Sequence, residues 1–304
     1  MYLIVGATGS LGGRVAMELL ARGEPVRALV RAASPMRQVG RYTDPAELRA
    51  RGAEIVEGDL KRPETIEPHL RGVKAVLFTA SGTKRMPPDT IEAVDHEGAA
   101  ALAAAARRAG VEHLVYLSAR GAGPDAPPFL RPKWQAENSI REDGPPATFV
   151  RPALYMQDWI GFVLGAQLQG GSQVQLVGER DPLKSFVDEG DVAKLLTALL
   201  LEGPPPADDP AKQLDFAADV ATYGEIVRRM AAGSGLPLTI ERIPAGQPLT
   251  TMSGPAATTV TELLTVASFM PEDTLLTPQV SERYGIAARS IDDFLEEMFA
   301  AVPS

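Results

Sequence analysis

Short, almost wholly apolar runs recur along the first half of this chain, separated by longer stretches in which apolar residues return every three or four positions. The runs predict strands buried on both faces, and the intervening period predicts amphipathic helices. Six strands are read this way: Met1–Val5, Pro25–Val30, Glu54–Gly58, Ala75–Thr79, His113–Leu117 and Ala147–Val150. Their alternation with helices predicts an α/β fold built on a doubly wound parallel sheet. The carboxyl ends of such strands share one edge, so the loops leaving it form the binding crevice. That places residues 6–12, Arg31, Asp59, Leu60, Ala80, Ser81, Ser118 and residues 151–155 together as candidates.

From Arg151 onward the pattern breaks into shorter pieces punctuated by Gly170-Gly171, Gly203-Pro204-Pro205-Pro206 and Gly233-Ser234-Gly235. We read residues 1–150 as a nucleotide-binding domain and 151–304 as a smaller substrate-binding lobe. Helices near Val187–Glu202 and Thr222–Ala232 flank a short strand at Gln213–Ala217, so part of this half returns to the sheet. The segment 246–271, rich in Thr, Ser, Gly and Pro, reads as a mobile loop or lid, or as an irregular surface connection.

The first strand runs straight into Gly6, Gly9 and Gly12, with Thr8, Ser10 and Leu11 between them. The first glycine permits a sharp turn off the strand, the second lets backbone approach a pyrophosphate, and the third lets helix pack against strand. The helix predicted from Leu11 to Arg22 then points its positive end at that pyrophosphate. Strand two follows at the spacing of a right-handed βαβ unit of about 30 residues, which makes this a Rossmann-type dinucleotide site. A carboxylate closing strand two would favour an unmodified ribose, whereas a guanidinium pairs with a 2′-phosphate. The chain has Arg31 there and Arg37 close behind, so NADP(H) is the expected cofactor. Asp59, closing strand three, is placed to accept from the adenine amino group or to cap a turn.

Composition narrows the function classes. With no cysteine, disulfides and thiolate catalysis are excluded, and His69, His96 and His113 are too scattered to suggest a metal site. A net charge of −9 disfavours nonspecific binding to nucleic acid or an anionic membrane. No apolar stretch reaches the length of a membrane span and strand one begins at residue two, so the expected location is the cytoplasm.

Several of these features occur in one order: the glycine turn, the basic end of strand two, Gly58-Asp59-Leu60, Asp95-His96-Glu97-Gly98, Val115-Tyr116-Leu117-Ser118, Lys133 with Ala136-Glu137, Arg151-Pro152, and residues 188–193. The set resembles the NmrA-like group of atypical short-chain dehydrogenases/reductases over at least residues 1 to 200, and more loosely beyond. The resemblance implies a site in which Ser118 orients a carbonyl, Lys133 holds the nicotinamide ribose and Pro152 borders the nucleotide. It also implies a Tyr-x-x-x-Lys pair, but the position four before Lys133 is Phe129, whose ring carries no proton to give. Three readings follow. The protein is an NADPH-dependent reductase of a quinone, enone, imine or dye, with Lys133, Tyr155 or water supplying the proton and Tyr155, Met156, Trp159 and Phe162 lining an apolar acceptor pocket. Alternatively it is a non-catalytic NADP(H) sensor acting on a protein partner, or an isomerase or epimerase. A homodimer is also compatible. Tyr155 and Trp159 are read as lying four apart on one helix.

Overall fold

The computed structural model describes residues 1–31, 43–82 and 89–300. Chain contacts divide it into a first unit of residues 1–152 and 192–215 and a second of 153–191 and 216–304.

The first unit contains β1 (Tyr2–Val5), α1 (Ser10–Ala21), β2 (Val26–Val30), α2 (Pro45–Ala50), β3 (Glu54–Glu57), β4 (Ala75–Phe78), α3 (Gly98–Arg108), β5 (His113–Leu117), α4 (Arg131–Asp143) and β6 (Ala147–Pro152). The boundary after Asp191 falls inside α5 (Glu189–Glu202), and β10 (Ala211–Phe216) closes the set. The seven strands order as β10-β6-β5-β4-β1-β2-β3, with β1 to β6 joined by parallel ladders. The direction of chain progress reverses between β1 and β4, which is where doubly wound sheets bind their ligands. β1 and β4 are buried at every position, as their unbroken apolar sequences demand. Leu102 and the small side chains Ala99, Ala103 and Ala106 of α3 join Val5, Phe78, Leu114, Tyr116 and Phe149 in one core.

The second unit contains β7 (Leu154–Tyr155), β8 (Gln173–Val177), β9 (Lys184–Val187), β11 (Asp219–Ala221), α6 (Tyr223–Ser234), β12 (Thr239–Ile243), α7 (Gly254–Phe269), α8 (Pro278–Tyr284) and α9 (Ile291–Ala300). β7 and β11 flank β9, and β12 pairs with β8. Thr222 and Glu225 form a reciprocal cap on α6.

The segment 246–271 is not a loop: most of it is α7, with Val260, Leu264 and Ala267 in the core of this unit. The hydroxyls that suggested irregular structure bond back along the helix, Thr261 to the Ala257 carbonyl and Thr265 to that of Thr261. Beyond its end, buried Lys184 donates to the carbonyls of Met270 and Pro271 at 3.0 and 2.8 Å.

Candidate functional site

The turn after β1 is built as a cradle. Gly6 has φ +93°, and a Cβ there would lie 2.6 Å from Thr79 Oγ1 and 2.8 Å from the Ala80 nitrogen. A Cβ on Gly12 would meet the Gly6 carbonyl and lie 2.6 Å from the same hydroxyl. Thr79 is fixed there by donating to the Val5 carbonyl at 3.0 Å. Gly6 is therefore dictated by the close approach of β4's end, and Gly12 by the Gly6 carbonyl and that same end, constraints that glycine spacing does not reveal. Gly9 precedes α1 as its cap residue and donates to the Gly6 carbonyl at 2.9 Å. The cap residue of α1 is Gly9, which has no side chain, and the first turn holds no carboxylate, an arrangement that suits an anionic ligand. Leu11 anchors the helix in the core. The Thr8 carbonyl accepts from Thr43 at 3.0 Å, and Thr43 lies where a Cβ on Gly13 would fall.

At the neighbouring strand ends, Arg31 reaches Asp89 at 2.5 Å and Lys61 reaches the other oxygen of that carboxylate at 2.7 Å. Burial by itself would raise the Asp89 pKa, but hydrogen bonds from Lys61 and Arg31 outweigh it and hold the group below the usual carboxylate value. Asp59 accepts from the Lys61 backbone N–H at 3.0 Å and so orders the turn after β3. Leu60 packs against the core, and a Cβ on Gly98 would lie 2.8 Å from its Cβ, which accounts for the glycine ending Asp95-His96-Glu97-Gly98. Arg37 lies outside the described residues.

At the ends of β4 and β5 the structure assembles a buried ionic group. Residues 92–97 form a π-helical turn preceding α3, and it carries Asp95, whose side chain is fully buried. One carboxylate oxygen accepts from the Gly82 N–H at 2.7 Å, just beyond Ala80 and Ser81, and the other lies 3.0 Å from Lys133 Nζ. Lys133 also donates to the Leu117 carbonyl at 3.1 Å. Tyr116 is buried, its hydroxyl donating to the Asp95 carbonyl at 2.8 Å. Ser118 follows directly after β5, and its hydroxyl is buried without a hydrogen-bond partner among the described residues. Phe129 sits in the turn before α4. Nothing about the sequence of Asp95 marked its role; the signal was the motif containing it, to which residue types alone gave no chemistry.

Pro152 ends β6, and Arg151 just before it is committed to buried Glu137 through contacts of 2.8 and 2.6 Å. In the second unit, Tyr155 ends β7 and Trp159 lies in a π-helical stretch, Gln157–Leu164, so the two do not share a helix. Met156 is fully buried in the core, where Phe162 packs against it. Trp159 stacks on Tyr223 at 5.9 Å. The Tyr155 hydroxyl is buried and unpartnered among the described residues. Burial, then the charges of Glu189 and Asp158, push its pKa well above that of an ordinary phenol. That environment opposes the lysine-activated phenol of the wider superfamily.

Among the described residues no group of three or more candidate metal ligands converges, and no helix is long and apolar enough to cross a membrane.

The glycine turn leading into α1 and the strand order define a dinucleotide-binding Rossmann protein. A model of the NmrA-like family matches residues 2–296, and the chain belongs to that family. The NAD(P)H azoreductase of Xenophilus azovorans is 30% identical, over 84% of this chain and 81% of its own length. The Citrobacter triphenylmethane reductase complexed with NADP(H) superposes with a TM-score of 0.76 at 19% identity, covering 97% of this chain and 99% of that one. The Escherichia coli NADPH-dependent quinone oxidoreductase QOR2 complexed with NADPH superposes at 0.75 and 19% identity, covering 98% and 100%. These two structures share the fold of this chain.

Proposed function

We propose that this protein is an NADPH-dependent reductase that passes hydride to a small conjugated or aromatic acceptor: a quinone, enone, imine or dye. The observation that carries the reading is the glycine cradle at the N-terminus of α1, in the same unit as a buried Ser118 hydroxyl without a hydrogen-bond partner among the described residues. Membership of the NmrA-like family and similarity to an NAD(P)H azoreductase support it. The residues present fit NADP(H): Gly6, Gly9 and Gly12 with Thr8, Ser10 and Leu11 for the pyrophosphate, Arg31 for the 2′-phosphate, Ala80, Ser81 and Pro152 along the strand ends. Bound NADPH supplies a hydride, which with a proton from water reduces the acceptor by two electrons.

Lys133 has three N–H donors, of which the Leu117 carbonyl takes one, while Asp95 pairs with its charge at 3.0 Å. Its remaining donors serve a ribose hydroxyl, so Lys133 positions the nucleotide rather than delivering a proton. The Ser118 hydroxyl donates a hydrogen bond that orients the acceptor. With Phe129 in place of a phenol, catalysis rests on positioning, which suits acceptors that delocalise the negative charge they receive. The test is NADPH oxidation, read by loss of absorbance, against quinones, enones, imines and triarylmethane dyes, with nucleotide binding measured in parallel. Turnover on one class is the expected result. Tight NADPH binding without turnover on any acceptor would overturn the reductase in favour of a nucleotide sensor.

A further inference from the structure

We infer that Asp95 is a positioning residue of the nicotinamide subsite: its carboxylate holds the Lys133 ammonium in place by charge and leaves the N–H groups of that ammonium for the nucleotide. The inference rests on the NADP(H) reading above and adds to it a residue that touches no ligand.

β4 and β5 are paired neighbours, with Phe78 opposite Tyr116, and Asp95 is fixed from both. Beyond β4, Gly82 approaches the chain just before the π-helical turn so closely that a Cβ there would run into the Thr90 carbonyl. That approach brings the Gly82 N–H to one oxygen of the Asp95 carboxylate at 2.7 Å. From β5, the Tyr116 hydroxyl donates to the Asp95 carbonyl at 2.8 Å. Burial, then the charges of Asp95 and Glu137, push the pKa of that phenol well above its ordinary value, so it remains a donor near neutrality. Asp95 is thus tied at side chain and backbone, on a π-helical turn of a kind that is rare and concentrated at functional sites.

Its other oxygen meets Lys133 through charge. That atom is buried and accepts no hydrogen bond among the described residues, although Lys133 Nζ lies 3.0 Å away. Two neighbours complete the seat of the ammonium: the Leu117 carbonyl at 3.1 Å and the face of the Tyr116 ring, whose centroid is 5.7 Å from Nζ. Asp95 is fully buried and Lys133 largely so, and little water screens the attraction. An ammonium on a flexible four-carbon stem otherwise samples many positions. Fixing it before the nucleotide arrives spares that ordering cost on binding.

The test measures binding of NADPH and of 2′,5′-ADP, which has the 2′-phosphate but no nicotinamide ribose, to the wild-type protein and to Asp95→Asn, Lys133→Met and double variants. Asparagine still accepts from the Gly82 N–H, so Asp95→Asn releases the hold on Lys133 alone. It is expected to weaken NADPH about tenfold and to leave 2′,5′-ADP unchanged, which also shows that the fold is intact. Lys133→Met is expected to do the same, and the double variant to bind NADPH as Lys133→Met does, because Asp95 acts through Lys133. Asp95→Asn that binds NADPH like wild type, or that loses NADPH and 2′,5′-ADP equally, would overturn the positioning role. Should Asp95→Asn not fold, the double variant, which strands no charge, carries the test. NADPH binding weaker than that of Lys133→Met, at unchanged 2′,5′-ADP binding, would then overturn the role, and equal binding would support it. Lys133→Met with unchanged NADPH affinity would instead overturn the hold of Lys133 on the ribose, and a wild-type protein that binds neither nucleotide would overturn the cofactor reading itself.

Discussion

Replacing Asp95 by asparagine removes one charge from an ion pair that the fold has sealed. Asp95 is 0% and Lys133 12% exposed, with their charged atoms 3.0 Å apart. The introduced amide can still accept from the Gly82 N–H, but its NH2 then faces an ammonium, donor against donor. Breaking a buried pair from one side costs about 3–5 kcal/mol. Lys133 keeps the Leu117 carbonyl and a little solvent, which places the expected loss near the lower end, about 3 kcal/mol. Lys133→Met should cost a similar amount by stranding the carboxylate. The double variant removes both charges, so its loss should fall short of the sum by about 2 kcal/mol or more. The chain has two tryptophans, and Trp134 adjoins Lys133 on α4, so a Trp159→Phe background leaves a single fluorescent reporter in the first unit. Urea unfolding followed by Trp134 emission then gives the cycle. Losses that add to within about 0.5 kcal/mol would refute the claim that Asp95 and Lys133 act as a pair.

Three further outcomes are expected. Arg31→Asp puts a second carboxylate beside Asp89 and should weaken NADP(H) roughly a hundredfold, about 2.7 kcal/mol, with little change for NAD(H); equal losses would remove the 2′-phosphate contact. Gly9→Val should abolish nucleotide binding by blocking approach to the pyrophosphate, with circular dichroism unchanged, and retained binding would contradict the assignment of the glycine turn. Buried His113, bonded to Thr148 at 3.0 Å, has its pKa lowered from 6.5 to about 4, chiefly by burial. The unfolded chain therefore takes the proton first, so His113 leaves stability intact above pH 6.5 and costs on the order of 3 kcal/mol by pH 4. His113→Gln should flatten that acid limb relative to wild type, and parallel pH profiles would show that His113 is not its source.

Strands β1 and β4 were legible because a strand buried on both faces must be apolar throughout, and such runs stand out in any sequence, whereas edge strand β3, with Glu54 and Glu57 exposed, was read from its place in the alternation. The glycine turn was legible because a tight departure from β1 and a close backbone approach admit no side chain. Arg31 was expected from its residue type at the end of strand two, and the roles of Ser118 and Lys133 from the family resemblance. The second half was less readable. Segment 246–271 looked irregular because Thr and Ser favour turns, yet tertiary burial of Val260 and Leu264 and back-bonded hydroxyls stabilise α7. Tyr155 and Trp159 had helical spacing but fall on a strand and in a π-helical stretch, where Trp159 is engaged by Tyr223.

By itself, then, the sequence determined the sheet, the nucleotide turn and the kinds of side chain near it, because those follow from local burial pattern and backbone sterics. Which side chains meet was decided only by the tertiary structure. Arg31 and Asp89 lie 58 positions apart and Lys61 falls between them, while Asp95, on the turn before α3, meets Gly82 beyond β4 and Lys133 on α4. A charge on a chain has no assigned partner until strand order brings another within a few ångströms, where burial makes the choice of partner costly to change.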